Sequence, residues 1–269
     1  MAGVRKITLR FPKKEMLPKI TKKQLEIIKY IYHFRFLNRT QIQALLKHKD
    51  YRLINEWLKD LTEKDYLIRN YSEKYGERNK PAVYYIGPNG IKLIKTLVNC
   101  GTVQLKKLHR EKDRKDPYIS KCQKLADIFI NLKNKSNEKV LYKLTTSSGF
   151  SSPDSNYHFL AETTFDLVVE KAGGNKNKYY LAELFESTLP IHSIRKRIKN
   201  YFDFYFSNTW EDNTGEDFPI IIVICEVELI SKVRKFTKTM IIENEEAENF
   251  KINIVANDDI VSNSISTVL

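Results

Sequence analysis

Residues Ile220-Ile221-Ile222-Val223-Ile224-Cys225 place six apolar side chains in succession, five of them β-branched. A strand with one wet face alternates apolar and polar residues. An unbroken run predicts a strand buried on both faces, central in its sheet and parallel to a neighbour. The surrounding sequence supplies the rest of such a domain. Strands are expected at 140–144, 165–170, 179–185 and 252–255, and helices at 116–137, 191–206 and 229–242. Strands alternating with helices predict an α/β domain over residues 118–269.

The first half has a different rhythm. Thr21 reads as an N-cap, and Leu25, Ile28, Ile31 and Tyr32 follow at helical spacing. Asn38-Arg39-Thr40 stops this helix and starts a short second one, with Ile42, Leu45 and Leu46 inward. A third helix is expected from Asp50 to Thr62 on the stripe Leu53, Ile54, Trp57, Leu58 and Leu61. A strand at 66–71, a polar excursion over 72–81 and a return strand at 82–86 follow, then Gly87-Pro88-Asn89-Gly90 and a helix at 91–98. Helix, helix, helix, strand, loop, strand is the order of a winged helix-turn-helix. The chain thus reads as α/β (α+β overall), in two domains with their own cores. A basic arm (1–19) precedes the winged domain (20–100), and a basic junction (101–117) leads to the α/β domain.

Charge follows this division. Residues 1–115 carry about 28 Lys and Arg against about 11 Asp and Glu, whereas residues 116–269 carry about 18 against 22, within a net charge of +13. A surplus of about 17 on one half points to a polyanionic partner. No stretch is apolar enough to span a bilayer, and nothing resembles a secretory signal. No membrane is expected; a reducing cytosol is. Cys100, Cys122 and Cys225 are too scattered for a metal site or a disulfide framework, so free thiols are expected.

In this frame the third helix is the one that enters the major groove of duplex DNA. Its candidate contacts are Arg52, Asn55 and Lys59, since Arg can bridge guanine O6 and N7 and Asn can pair with adenine. Lys49 precedes it, and Arg39, Thr40, Gln41 and Gln43 sit near the start of the second helix, where phosphates bind readily. Lys74, Arg78 and Lys80 in the wing are candidates for a neighbouring groove or phosphate.

The second domain carries two carboxylates on successive strands, Asp166 and Glu183. A hairpin can bring them onto one face, where they could hold Mg2+ or Mn2+ and activate water at a phosphodiester. That layout resembles restriction-endonuclease-like domains, whose second strand reads Asp/Glu-x-Lys. Here the triplet is Glu183-Leu184-Phe185, so Phe185 stands where the Lys belongs, and Lys196 or Lys199 of the following helix are candidate replacements. Asp166 and Glu183 therefore stand as a candidate metal site or as polar contacts of a catalytically degenerate domain. The cations of the 191–206 helix could extend a DNA footprint or pair with acidic neighbours, and its aromatics are expected in the core.

The order of these parts resembles the replication-relaxation family of plasmids, phages and integrative elements. Its second strand tends to read Glu-x-Asp-x-Gly-Thr, followed by a helix with Lys/Arg-x-x-x-Tyr. The matching segments are Glu183-Leu184-Phe185-Glu186-Ser187-Thr188, with Phe185 for the Asp and Ser187 for the Gly, and Arg197 to Tyr201. The resemblance spans roughly residues 20–225. It implies a DNA-binding protein in replication, transfer or gene control of a mobile element. A non-catalytic regulator or accessory factor, without cofactor, is the leading expectation. It would bind double-stranded DNA, with a homodimer on two half-sites and a replication or conjugation protein as candidate partners. A metal-dependent endonuclease and a protein-interaction scaffold are the alternatives.

Overall fold

A computed structural model of the chain describes residues 17–71, 80–97, 102–152, 155–173, 176–186, 188–244, 246–247 and 249–257. The chain opens with helix α1 (Lys22–Phe34). Thr21 and Gln24 form a reciprocal capping box at its start, satisfying two orphan amides. A two-residue strand β1 (Leu37–Asn38), α2 (Arg39–Leu46), α3 (Tyr51–Glu63), β2 (Leu67–Asn70), β3 (Val83–Ile86) and α4 (Pro88–Leu97) follow. The three strands form an antiparallel sheet in the order β1-β3-β2. The expected succession of helices and strands is present, with β1 added. Two residues are too few for an alternation to reveal. At the start of α4, a Cβ on Gly90 would collide with the Tyr66 carbonyl oxygen, so only glycine lets this helix pack so closely on β2.

Residues 102–113 are helical, as α5 (Thr102–His109) and a 3-10 turn at Glu111–Asp113, where a polar junction was expected. Leu108 of this segment joins the core, and Glu111 is buried beside it in the chain. Its carboxylate is buried 3.0 Å from the Arg35 guanidinium, at the C-cap of α1. Burial raises the Glu111 pKa, and Arg35 and Arg114 oppose the shift.

The second sheet has five strands, β4 (Leu141–Thr146), β5 (Leu167–Ala172), β6 (Lys178–Leu184), β7 (Ile220–Cys225) and β8 (Ile252–Ala256), in sequence order. β4, β5 and β6 are antiparallel neighbours, while β6, β7 and β8 run parallel. β7 is thus bonded in parallel on both sides, as its apolar run requires, although β6 holds the middle position. The helices are α6 (Asp116–Lys135), α7 (Ser147–Phe150), α8 (Ile191–Phe206), α9 (Thr209–Thr214) and α10 (Val227–Glu243). Leu125, Ile128 and Leu132 of α6 cover Val169, Tyr180, Ala182 and Ile222 on one face of the sheet. Ile194, Ile198 and Phe202 of α8, Trp210 of α9 and Val233 of α10 cover Val168, Leu181, Ile221 and Val223 on the other. Each such side chain, fully buried, contributes about 1.5–3 kcal/mol.

The expectation of two separate cores is corrected. The cluster that lines α1, α2 and α3 runs without a break onto α6 and the near face of the five-stranded sheet. Phe34 of α1 meets Phe129 of α6 edge-on at 5.0 Å, and Phe36 meets Tyr118 at 6.1 Å. α6 therefore serves both halves. No described helix is long and apolar enough to cross a membrane. Cys122 and Cys225 are buried free thiols, pushed up by burial to about 12 and about 11. Cys100 lies outside the described residues.

Candidate nucleic-acid interface and acidic pair

The α2–α3 corner is fixed by side chains. Asn38 caps α2 and shares a capping box with Gln41. Lys47 adopts the left-handed conformation that ends α2. The Gln43 amide donates to the carbonyls of His48 and Lys49, and Asp50 accepts from the Arg52 amide to start α3. His48 packs edge-on against Trp57 at 5.3 Å. These contacts hold the turn and therefore the orientation of α3.

Ile54, Leu58 and Leu61 turn inward from α3, while Arg52, Asn55 and Lys59 are exposed on its opposite face together with Glu56. Thr40, Lys49 and Lys80 are also exposed. The Arg39 guanidinium lies 5.5 Å from the Tyr51 ring centroid and so lies at the start of α3. Lys59 has one distant partner, Glu63 at 3.9 Å, with both side chains largely in solvent. Lys80 shares a groove of about 360 Å3 with Asn38, Asn70 and Tyr71, next to the start of α2. Lys74 and Arg78 lie outside the described residues.

Gln41 is a correction. It is 4% exposed, and its amide donates to the Gln123 carbonyl and, at 2.8 Å, to the Asp127 carboxylate of α6. The same residue that closes the capping box thus ties α2 to α6, and no face of it is left for DNA. Burial raises the Asp127 pKa, and the Gln41 hydrogen bond opposes the shift. Gln43 remains half-buried with both of its amide donors engaged in the turn.

Asp166 and Glu183 do meet. Leu167 pairs with Ala182, so the next antiparallel register position sets Asp166, just before β5, opposite Glu183 on β6. The Asp166 amide donates to the Ala182 carbonyl, and its carboxylate accepts from the Leu184 amide at 2.8 Å. The cation beside Asp166 comes from an unexpected element. Lys121 of α6 is 2.9 Å away, and both side chains are only 13% exposed. Burial works to lower the Lys121 pKa, but the Asp166 carboxylate outweighs it and the net shift is upward.

Glu183 has no solvent exposure. It accepts from the Arg197 guanidinium, from the Tyr201 hydroxyl at 2.6 Å and from the Thr164 hydroxyl at 2.7 Å. Burial, followed by the Asp166 charge, raises its pKa, and Arg197, Tyr201 and Thr164 oppose the shift. The Tyr201 hydroxyl, wholly buried beside this carboxylate, is pushed well above its ordinary value. Lys196 and Lys199 are a second correction. They are exposed on the outer side of α8, because neighbouring positions differ by about 100° around a helix and Arg197 is the one turned inward. Phe185 is buried among the aromatics beneath α8, with the Arg197 guanidinium 5.5 Å from its ring centroid.

These donors do not fit a divalent metal. Three of the four carboxylate oxygens, Glu183 Oε1 and Oε2 and Asp166 Oδ2, already accept hydrogen bonds or an ion pair. Mg2+ asks for six oxygens in an octahedron. Among the described residues no group of three or more His, Cys, Asp or Glu is placed to hold a metal ion. Lys121 and Arg197 neutralise the charge that a cation would neutralise. The arrangement ties β5, β6, α6 and α8 together through one polar cluster.

The chain is similar to two solved structures of the restriction endonuclease FokI. One superposes with a TM-score of 0.29 at 9% identity, covering 91% of this chain and 44% of that one. The other, FokI bound to DNA, gives 0.27 at 12% identity with the same coverage. The chain therefore spans less than half the length of either FokI chain. No curated protein matches it. The family model of replication-relaxation matches residues 28–219, a span that includes α2, α3, Lys121, Asp166, Glu183, Arg197 and Tyr201. The chain belongs to the replication-relaxation family.

Proposed function

We propose that this protein binds duplex DNA through a winged helix-turn-helix in its first half, as a non-catalytic regulator or accessory factor in replication, transfer or transcription of a bacterial mobile element. The observation that carries this reading is the outward face of α3. Arg52, Asn55 and Lys59 are exposed on a helix whose other face is locked into the core, at a corner where Arg39 and Thr40 are also at hand. A rigid helix with one free polar face that carries Arg52, Asn55 and Lys59 suits the major groove, and the start of α2 suits a phosphate. The proposed setting is the bacterial cytoplasm, on nucleoid or plasmid DNA. A second copy on an adjoining half-site or a replication or conjugation protein is the proposed partner.

The experiment is titration of the intact protein into labelled duplex at fixed salt, with Arg52→Ala and Asn55→Ala beside it. A lost base contact is worth about 1–3 kcal/mol, so the account expects affinity to fall about 5- to 150-fold for a cognate site. Unaltered affinity in both variants would remove α3 from the interface.

A metal-dependent nuclease is the second reading, favoured by Lys121 standing 2.9 Å from Asp166 as a lysine recruited from another element. The fully engaged Glu183 argues against it. DNA left intact in both Mg2+ and Mn2+ would reject the nuclease, and cutting abolished in Asp166→Ala would reverse the order of the two readings.

A further inference from the structure

The second half of the chain is acidic overall, yet eight of its 18 Lys and Arg residues lie on just two helices, α8 and α10. These helices cover the same face of the five-stranded sheet and touch each other, with the Arg195 guanidinium 4.5 Å from the Phe236 ring centroid. Arg197 turns inward to Glu183, but Arg195, Lys196 and Lys199 of α8 are exposed. So are Lys232, Arg234, Lys235 and Lys238 of α10.

Four of the other cations of this half are neutralised within the fold. Lys121, Lys124, Lys143 and Lys176 each reach a carboxylate at 2.6–2.9 Å. No ion pair among the described residues involves any of the seven exposed cations of α8 and α10. The acids of these helices sit towards their ends, with Glu228 in the first turn of α10, Glu243 at its last residue and Asp203 in the last turn of α8. Arg195 and Lys199, and Arg234 and Lys238, are like charges four residues apart, a spacing at which they repel. An isolated surface gains nothing from that repulsion, whereas a polyanion relieves it.

We propose that the outer face of α8 and α10, on the side of the sheet away from α6, is a second phosphate-binding surface, which holds the backbone of duplex DNA. This rests on the reading of the first half as the DNA-binding module. Lys232 to Lys238 covers about 9 Å of helix axis at 1.5 Å per residue. One strand of a duplex presents a phosphate every 3.4 Å, so several phosphates lie within reach of the two rows. The contacts are to backbone and carry no base preference.

The test uses the full chain and a labelled duplex of about 40 base pairs across a salt series. The quadruple variant Lys199→Ala, Lys232→Ala, Lys235→Ala and Lys238→Ala is compared with the wild type and with Arg52→Ala. All four sites are exposed, and a thermal melt shows that the fold is kept. Each phosphate contact contributes about 0.9 to the slope of log affinity against log salt, so the quadruple variant is expected to lose about 2 to 4 from that slope. An unchanged slope, with Arg52→Ala still weakening binding, overturns this proposal and leaves the α3 reading standing. Wild type that does not bind overturns both. Loss of binding to anionic lipid vesicles in the quadruple variant, with DNA binding intact, would reassign the face to a membrane surface and overturn the proposal.

Discussion

Two clusters of charge in this protein have opposite architectures. On α3, Arg52 and Lys59 stand in solvent, and the nearest carboxylate to Lys59 is a 3.9 Å contact to Glu63. Around Glu183 every charge is answered, with Lys121 on Asp166 and Arg197, Tyr201 and Thr164 on Glu183. Open cations are available to a polyanion. Closed carboxylates are available to the fold. Lys and Arg therefore do two jobs in one chain, and burial rather than residue type decides which.

The comparison is broken most forcefully at Arg197. Removing one partner of a buried ion pair leaves the other uncompensated, and Arg197→Ala is expected to lower stability by about 3 kcal/mol in denaturant titration. The effect carries a pH signature. Burial already raises the Glu183 pKa, and losing Arg197 takes away a group that lowers it, so the variant's folded-state pKa rises further. A raised carboxyl pKa means that the native state holds a proton that the unfolded chain has released, so stability falls as pH rises through that window. The deficit of Arg197→Ala relative to wild type should therefore be largest near pH 8 and shrink towards pH 5. A pH-independent deficit would show that the lost contribution is packing on Phe185 instead of charge.

Gln41 comes next. Its amide joins the α2 cap to Gln123 and Asp127 of α6, and a buried acceptor left unsatisfied costs about 1–3 kcal/mol. Gln41→Ala should lower the melting temperature accordingly, with DNA affinity retained by the folded fraction. If affinity falls with no change in melting, Gln41 belongs to the interface after all.

The smallest expected effect sharpens the open cluster. Lys59→Ala should leave stability within about 0.5 kcal/mol and reduce the salt slope of DNA binding by about 1, alike on all sequences. A loss confined to one sequence would make Lys59 a base reader.

These contrasts explain how far the sequence could be read. The α3 stripe of Ile54, Leu58 and Leu61 is a periodic signal and the β7 run from Ile220 an unbroken apolar one, and both elements lie where these patterns put them. Glu183, Arg197 and Tyr201 carried the family resemblance, and their convergence is the physical reason for that spacing: the i and i+4 positions of one helix turn both reach one strand carboxylate. Lys121 was missed because it lies 45 residues before Asp166 and flanks the apolar stripe of α6 like any solvated lysine. Gln41 was misread because a capping glutamine has the same local sequence whether its outer edge meets water or α6. Both failures are long-range contacts that local pattern does not encode. The shared core has the same cause, since α6 turns one flank to α1 and α2 and another to the sheet.

The open cations of the first half are proposed to meet DNA while the acidic pair stays closed. Fluorescence anisotropy of the intact protein on duplex DNA from low to high salt tests it directly, with wild type beside the double variant Arg52→Ala and Lys59→Ala. The account predicts log affinity falling linearly and steeply with log salt, with a shallower slope in the double variant. Affinity flat with salt, or a slope indifferent to the double substitution, would contradict it.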